Sequence, residues 1–138
     1  MTIAKLVLPA FVMAIAAIAA DKFEHDIPAG FSLANAKTIE IKDANGQVIL
    51  RGNFAPEDSD KDDSELEAIL VGTGSKAKGR AEIEYEQKNN AVTKQELELE
   101  LEGLAASATV TIVIDGKDLQ TVAVDKSGDA DLKFTDKK

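Results

Sequence analysis

From Lys37 onward, polar and apolar residues alternate, and the alternation is broken at short intervals by dipeptides that turn a chain back on itself. A period of two places successive side chains on opposite faces of an extended backbone, so each run predicts a strand with one dry and one wet face. Residues 38–42 (TIEIK) and 47–54 (QVILRGNF) flank Asn45-Gly46, and residues 108–114 (ATVTIVI) and 119–124 (LQTVAV) flank Asp115-Gly116. Both dipeptides tolerate the positive φ angles of a tight hairpin. In residues 95–104 (QELELELEGL), Leu97, Leu99 and Leu101 alternate with Glu96, Glu98, Glu100 and Glu102. Leu and Glu both favour helices intrinsically, but a helix would scatter these leucines around its axis, so the periodicity predicts a strand. Residues 65–72 (ELEAILVG) are read the same way, with a short helical turn capped by Ser64 as the alternative.

The pattern also repeats. Residues 79–86 (GRAEIEYE) match residues 128–135 (GDADLKFT) position by position, with Ala81, Ile83 and Tyr85 corresponding to Ala130, Leu132 and Phe134. Read as a diverged internal duplication, the two halves are expected to build two sheets that share a core. The fold expected is all-β: an antiparallel β-sandwich of about seven or eight strands, built from two diverged half-repeats.

Ahead of the strands lies a different composition. Lys5 precedes an apolar run from Leu6 to Ala20 that ends in small residues, the pattern of an export signal, with cleavage after Ala20 preferred over Ala19. About fifteen apolar residues fall short of the roughly twenty needed to span a bilayer as a helix. Residues 21–36 (DKFEHDIPAGFSLANA) lack sustained periodicity and read as an arm that packs through Phe31 and Leu33. The expected organisation is a signal peptide over 1–20, an arm over 21–36 and one β-sandwich domain over 37–138, secreted or periplasmic.

Removing the signal takes away Met1 and Met13, leaving no Met, Cys or Trp and a single His. Without cysteine there is no disulfide framework, thiol redox couple, iron–sulfur cluster or thiolate zinc site. The formal charge of −9 becomes −10 without Lys5, which argues against a nucleic-acid partner and towards cations or basic surfaces. His25, expected to be solvent-exposed on the arm, lacks the framework that a general base needs. Hydrolysis by paired carboxylates is the weakest reading, because the usual tryptophan platform for sugars is missing.

Two acidic segments are the candidate sites. The stretch 56–67 (PEDSDKDDSELE) reads as a charged connecting loop, and Asp58, Asp60, Asp62, Asp63 and Glu65 are its candidate calcium ligands. Asp58, Asp60 and Asp62 alternate as in the opening of an EF-hand loop. Asp63 then stands where the sharp turn needs Gly, and Ile69 where a bidentate acid belongs. The second is a carboxylate face formed by Glu82, Glu84 and Glu86 with Glu96, Glu98, Glu100 and Glu102. If their strands paired directly, like charges would oppose each other, so the two strands are expected in different sheets.

The strands ELELEGL (98–104), TVTIVIDG (109–116) and SGDADLKF (127–134), following a signal peptide, resemble small secreted bacterial β-sandwich proteins and the immunoglobulin-like modules of cell-surface proteins. The Cys and Trp of true immunoglobulin domains are absent. Fold similarity does not transfer function, and the leading reading is a non-enzymatic exported domain with an interaction or structural role at the cell envelope or outside the cell, using exposed edges or its acidic face. Its partner would be an unknown protein or envelope component, basic in character, with no cofactor. Calcium-dependent binding through the acidic loop is the alternative.

Overall fold

A computed structural model describes residues 24–59, 63–74 and 76–136, so the expected signal peptide and its cleavage site lie outside the described residues. The described chain is all-β. Its strands are β1 (Glu24–Asp26), β2 (Thr38–Lys42), β3 (Val48–Asn53), β4 (Ala55–Ser59), β5 (Asp63–Gly72), β6 (Lys78–Lys88), β7 (Ala91–Glu102), β8 (Thr109–Ile114), β9 (Lys117–Ala123) and β10 (Ala130–Thr135).

The runs read as strands are strands, including the Leu/Glu alternation, which forms β7, and the run 65–72, which lies in β5. Three hairpins follow their turn residues. Asp115 and Gly116 both have positive φ (50° and 82°) between β8 and β9, as do Asn89 and Asn90 (54° and 65°) between β6 and β7. At the β2–β3 turn only Gly46 does so. There the Asp43 carboxylate accepts from the Asn45 and Gln47 N–H groups at 2.9 Å each, which stabilises a longer loop than a two-residue turn.

The connectivity differs from the expected sandwich. All ten strands belong to one curled, mostly antiparallel sheet with the order β1-β10-β7-β6-β5-β3-β2-β8-β9, a half-barrel in place of two facing sheets of seven or eight strands. β4 pairs with β5 in the register that β3 begins, with Leu50 opposite Gly72 and Ala55 opposite Glu67, so β3 and β4 act as one strand interrupted at Phe54. The matching segments 79–86 and 128–135 do not head separate sheets. They lie in β6 and β10, on either side of β7, where Ala81, Ile83, Tyr85, Ala130, Leu132 and Phe134 are all buried.

The core is the inner face of this one sheet, a single cluster running from Ile39, Ile41, Ile112 and Val122 at one end to Leu97, Leu99 and Phe134 at the other. Alternation supplies it: along β7, Gln95, Leu97, Leu99 and Leu101 point in and every intervening residue points out. Curling lets a single sheet cover its own apolar face, the task that two sheets share in a sandwich. The arm is part of this structure. Leu33 is fully buried, Ile27 and Ala36 are buried, and β1 adds to β10 in parallel. Gln95, the buried polar residue of the inner face, holds the arm by accepting from Leu33 N–H and donating to the Phe31 carbonyl, both at 2.7 Å.

Candidate functional site

The outer face of β5, β6, β7 and β10 is where the Leu/Glu pattern sends its charges. β6 pairs directly with β7, which overturns their expected separation into different sheets; Glu82 lies opposite Glu98 and Glu84 opposite Glu96. β5 extends both rows, with Glu67 opposite Glu82 and Glu65 opposite Glu84, and Asp63 opposes Glu86. On the far side Glu100 faces Asp131. Directly opposed like charges cost a few tenths to about 1 kcal/mol each when exposed. The strands pair regardless because their inner faces supply Leu66, Ile83, Leu97 and Phe134 as one buried row.

Part of the repulsion is relieved within the face. Arg80 donates from Nε to Glu67 at 2.5 Å and approaches Glu82 at 3.5 Å, and this pairing raises its already high pKa. Lys133 lies 3.5 Å from Glu96, which raises the lysine's pKa, and Lys78 lies 3.3 Å from Glu102. Glu84 sits between Glu65 and Glu96 in its row, and among the described residues no cation lies within ion-pair distance of it. Every one of these cations is at the margin of the row or shared between two acids.

The expected acidic loop is a hairpin. β4 and β5 pair with Asp58 opposite Glu65 and Ser59 opposite Ser64, so charge here marks a wet strand pair. Of the candidate calcium ligands, Asp60 and Asp62 lie outside the described residues. Asp63 is exposed, Glu65 is half-buried on the outer face, and the backbone of Asp58 lies on β4. A different group is compact: carboxylate oxygens of Glu57, Glu67 and Glu82 all lie within 4.8 Å of one another. Glu57 reaches it through the register shift between Pro56 and Asp58, which no periodicity in the sequence announces. Partial desolvation and then the Glu67 carboxylate hold the Glu57 carboxyl above its ordinary pKa. Arg80 already supplies positive charge to the other two members.

The acidic face ends in a shallow cup of about 250 Å³ lined by Glu100, Glu102, Asp125, Asp129 and Asp131. Asp125 is committed to its own turn, accepting from Ser127 N–H at 2.8 Å, Ser127 Oγ at 2.7 Å and Asp129 N–H at 3.0 Å, which lowers its pKa. Beside this acidity β5 exposes two large apolar side chains, Ile69 and Val71, each 60% accessible.

No family model, curated protein or solved structure matches this chain.

His25 departs from its expected exposure. It lies on β1 opposite Phe134, with the two ring centroids 5.2 Å apart. Among the described residues its buried Nε2 has no hydrogen-bond partner, and desolvation lowers its pKa against the opposing pull of Asp26. The imidazole is thus placed as a packing group. The arm from Asp26 to Ser32 also walls an open cleft of about 730 Å³, closed on its other side by Val92, Gln95 and Asp136.

Proposed function

We propose that this chain is an exported, non-enzymatic binding domain whose acidic outer sheet face receives a basic protein or basic component of the cell envelope. The observation that carries the reading is the pair of rows Glu67–Glu82–Glu98 and Glu65–Glu84–Glu96, in which like charges stand directly opposed across three strands. The fold needs only polar side chains at these outward positions. A cationic surface laid across β5, β6 and β7 neutralises both rows at once, and Ile69 and Val71 at the edge of the same face offer it apolar contact. The export signal read from residues 1–20 supports an encounter outside the cytoplasm.

The test compares neutralisation on and off the face. Glu84→Gln with Glu98→Gln removes two charges from the rows, and Asp26→Asn with Asp136→Asn removes two elsewhere. Binding to poly-L-lysine and to envelope extract, measured at about 20 mM and about 500 mM salt, should be saturable, strong at low salt and weakened much more by the first pair. Equal weakening by the two pairs, or no saturable binding at low ionic strength, would overturn the proposal.

Calcium is the second cationic ligand to which the sequence points, through the acidic stretch 56–67. At a hundred times its dissociation constant, calcium would stabilise the fold by about 2.7 kcal/mol, so a melting curve unmoved between millimolar calcium and chelator would eliminate a tight site.

A further inference from the structure

The arm does more than pack against the sheet. From Asp26 to Ser32 it stands as one wall of the cleft of about 730 Å³, facing Val92, Gln95 and Asp136 across it. That wall is fixed at three points. At its root β1 joins β10, and Ile27 N–H donates to the Thr135 carbonyl at 2.9 Å. A turn over residues 28–31 then closes with Phe31 N–H donating to the Pro28 carbonyl at 3.0 Å, and Gly30 takes the positive φ (80°) favoured at the third residue of such a turn. Beyond the turn the Gln95 amide clamps the Phe31 carbonyl and the Leu33 N–H from the sheet. A ligand therefore meets a wall already in place, and a preformed cavity of this size falls within the range of small-molecule sites, about 300–1,000 Å³.

The chemistry of the lining is selective. Ile27, Pro28, Phe31 and Val92 give it apolar surface. Its titratable residues are two acids, one on each wall, with Asp26 on the arm and Asp136 across from it, and no Lys or Arg joins them. Among the described residues no Lys or Arg lies within ion-pair distance of either carboxylate, whereas Glu40, Glu67, Glu96 and Glu102 each have such a partner. His25, next to Asp26, offers no charge at neutral pH because burial lowers its pKa. Gln95 commits both ends of its amide to the arm, so the carboxylates are the strongest polar groups left for a ligand.

We propose that this cleft binds a small organic ammonium, a single positive charge on an aromatic or branched apolar body, with the charge met by Asp26 and Asp136 and the body by Phe31 and Val92. Apolar walls alone accept any hydrophobe of the right size; two carboxylates without a cation of their own add the preference for positive charge. A lysine side chain reaching in from a protein partner would leave most of the 730 Å³ empty, which favours a free molecule. The site shares no residue with the acidic rows of the outer face and goes beyond the basic macromolecule proposed for them.

The probe is tryptamine, compared with its neutral alcohol analogue tryptophol and with the anion indole-3-acetate, each titrated into the full chain and followed by amide NMR shifts. Tryptamine should shift Gly30, Phe31, Val92 and Asp136 with a Kd at or below about 1 mM. Tryptophol should bind about tenfold more weakly, and indole-3-acetate more weakly still. Asp26→Asn with Asp136→Asn should bring tryptamine down to the level of tryptophol, while Asp118→Asn on β9 leaves the preference intact. Gln95→Leu, which frees the arm wall, should weaken both ligands alike. The same spectra report whether each variant is folded, and if the double variant is not, the comparison of the three ligands on the parent chain decides. Tryptamine carries one charge and cannot span the acidic rows, and poly-L-lysine has no apolar body to fill the cleft, so each proposal can fail without the other. No shift of these amides at about 10 mM tryptamine, equal binding of tryptophol, or a preference that survives the loss of both carboxylates would overturn the inference. So would binding that appears only after Lys137→Ala with Lys138→Ala, since that result assigns the cleft to the chain's own tail.

Discussion

The two ends of the curled sheet solve the same burial problem with opposite surfaces. β5, β6 and β7 alternate Leu, Ile and Ala with carboxylates, and oppose those carboxylates row upon row. β2, β8 and β9 alternate Ile, Val and Leu with a sparser set of Thr, Lys and Glu, and the Thr111 and Thr121 hydroxyls meet at 2.9 Å across β8 and β9. Both inner faces are equally dry. The difference teaches that inward side chains decide where strands pair, leaving the outward ones available for charge even where charge opposes pairing.

The sharpest way to break the comparison is to attack the inner face, where the two ends should respond alike. Leu99→Ala on β7 and Ile112→Ala on β8 both empty fully buried positions and should each lower stability by about 2–5 kcal/mol in urea unfolding. A loss below about 1 kcal/mol at Leu99 would mean that the acidic strands contribute little to the core. Next in size is Gln95→Leu, which strands the buried Leu33 N–H and frees the arm. It should cost about 1–3 kcal/mol and speed amide exchange at Leu33.

The outer faces should then separate. Glu84→Gln removes a charge caught between Glu65 and Glu96 and should stabilise the protein by a few tenths to about 1 kcal/mol, an effect that shrinks as salt is added. Thr111→Val, which breaks the hydroxyl contact on the neutral end, should cost a few tenths of a kcal/mol with no salt dependence. A salt-independent response at Glu84 would show that its row is already neutralised.

The smallest expected effect is in pH dependence, and its sign differs by region. The folded pKa of His25 lies below the ordinary 6.5, so its stabilising contribution is complete above that value and is lost as pH falls from there through the folded value. Glu57 is raised, so its proton favours the folded state, and its contribution is lost as pH rises through the folded value. Melting temperatures of His25→Gln between pH 7 and 5 should fall less on acidification than those of the parent chain. Glu57→Gln should melt higher than the parent at neutral pH, with the difference vanishing in acid.

Much of this was legible in the chain. The Leu/Glu alternation, the turn dipeptides and the apolar positions of β6 and β10 identify strands and their inward faces, because period and turn chemistry are local. Which strand neighbours which is not local: the pairing of β2 with β8 or of β1 with β10 joins distant segments that carry no mutual signature. Hence local pattern predicts two sheets where the chain forms one. Opposed charge argues for separating β6 from β7, but a few tenths of a kcal/mol per exposed pair is small beside a buried leucine row. The acidic stretch 56–67 reads as a loop because it is charged and poor in apolar residues, but among the described residues β4 pairs with β5 alone, and an edge position tolerates both Pro56 and charge. The Glu57, Glu67 and Glu82 group has no sequence signature because its members come from three strands, one through a shifted register.

The place of β10 in the sheet sets an order of events. It lies between β1 and β7, so β1 has its neighbour only once a segment almost the whole described length away has emerged and docked on β7. A chain made from its amino terminus must therefore keep its arm waiting while the hairpins of β2–β3, β6–β7 and β8–β9 close by themselves. Such long-range closure is slow.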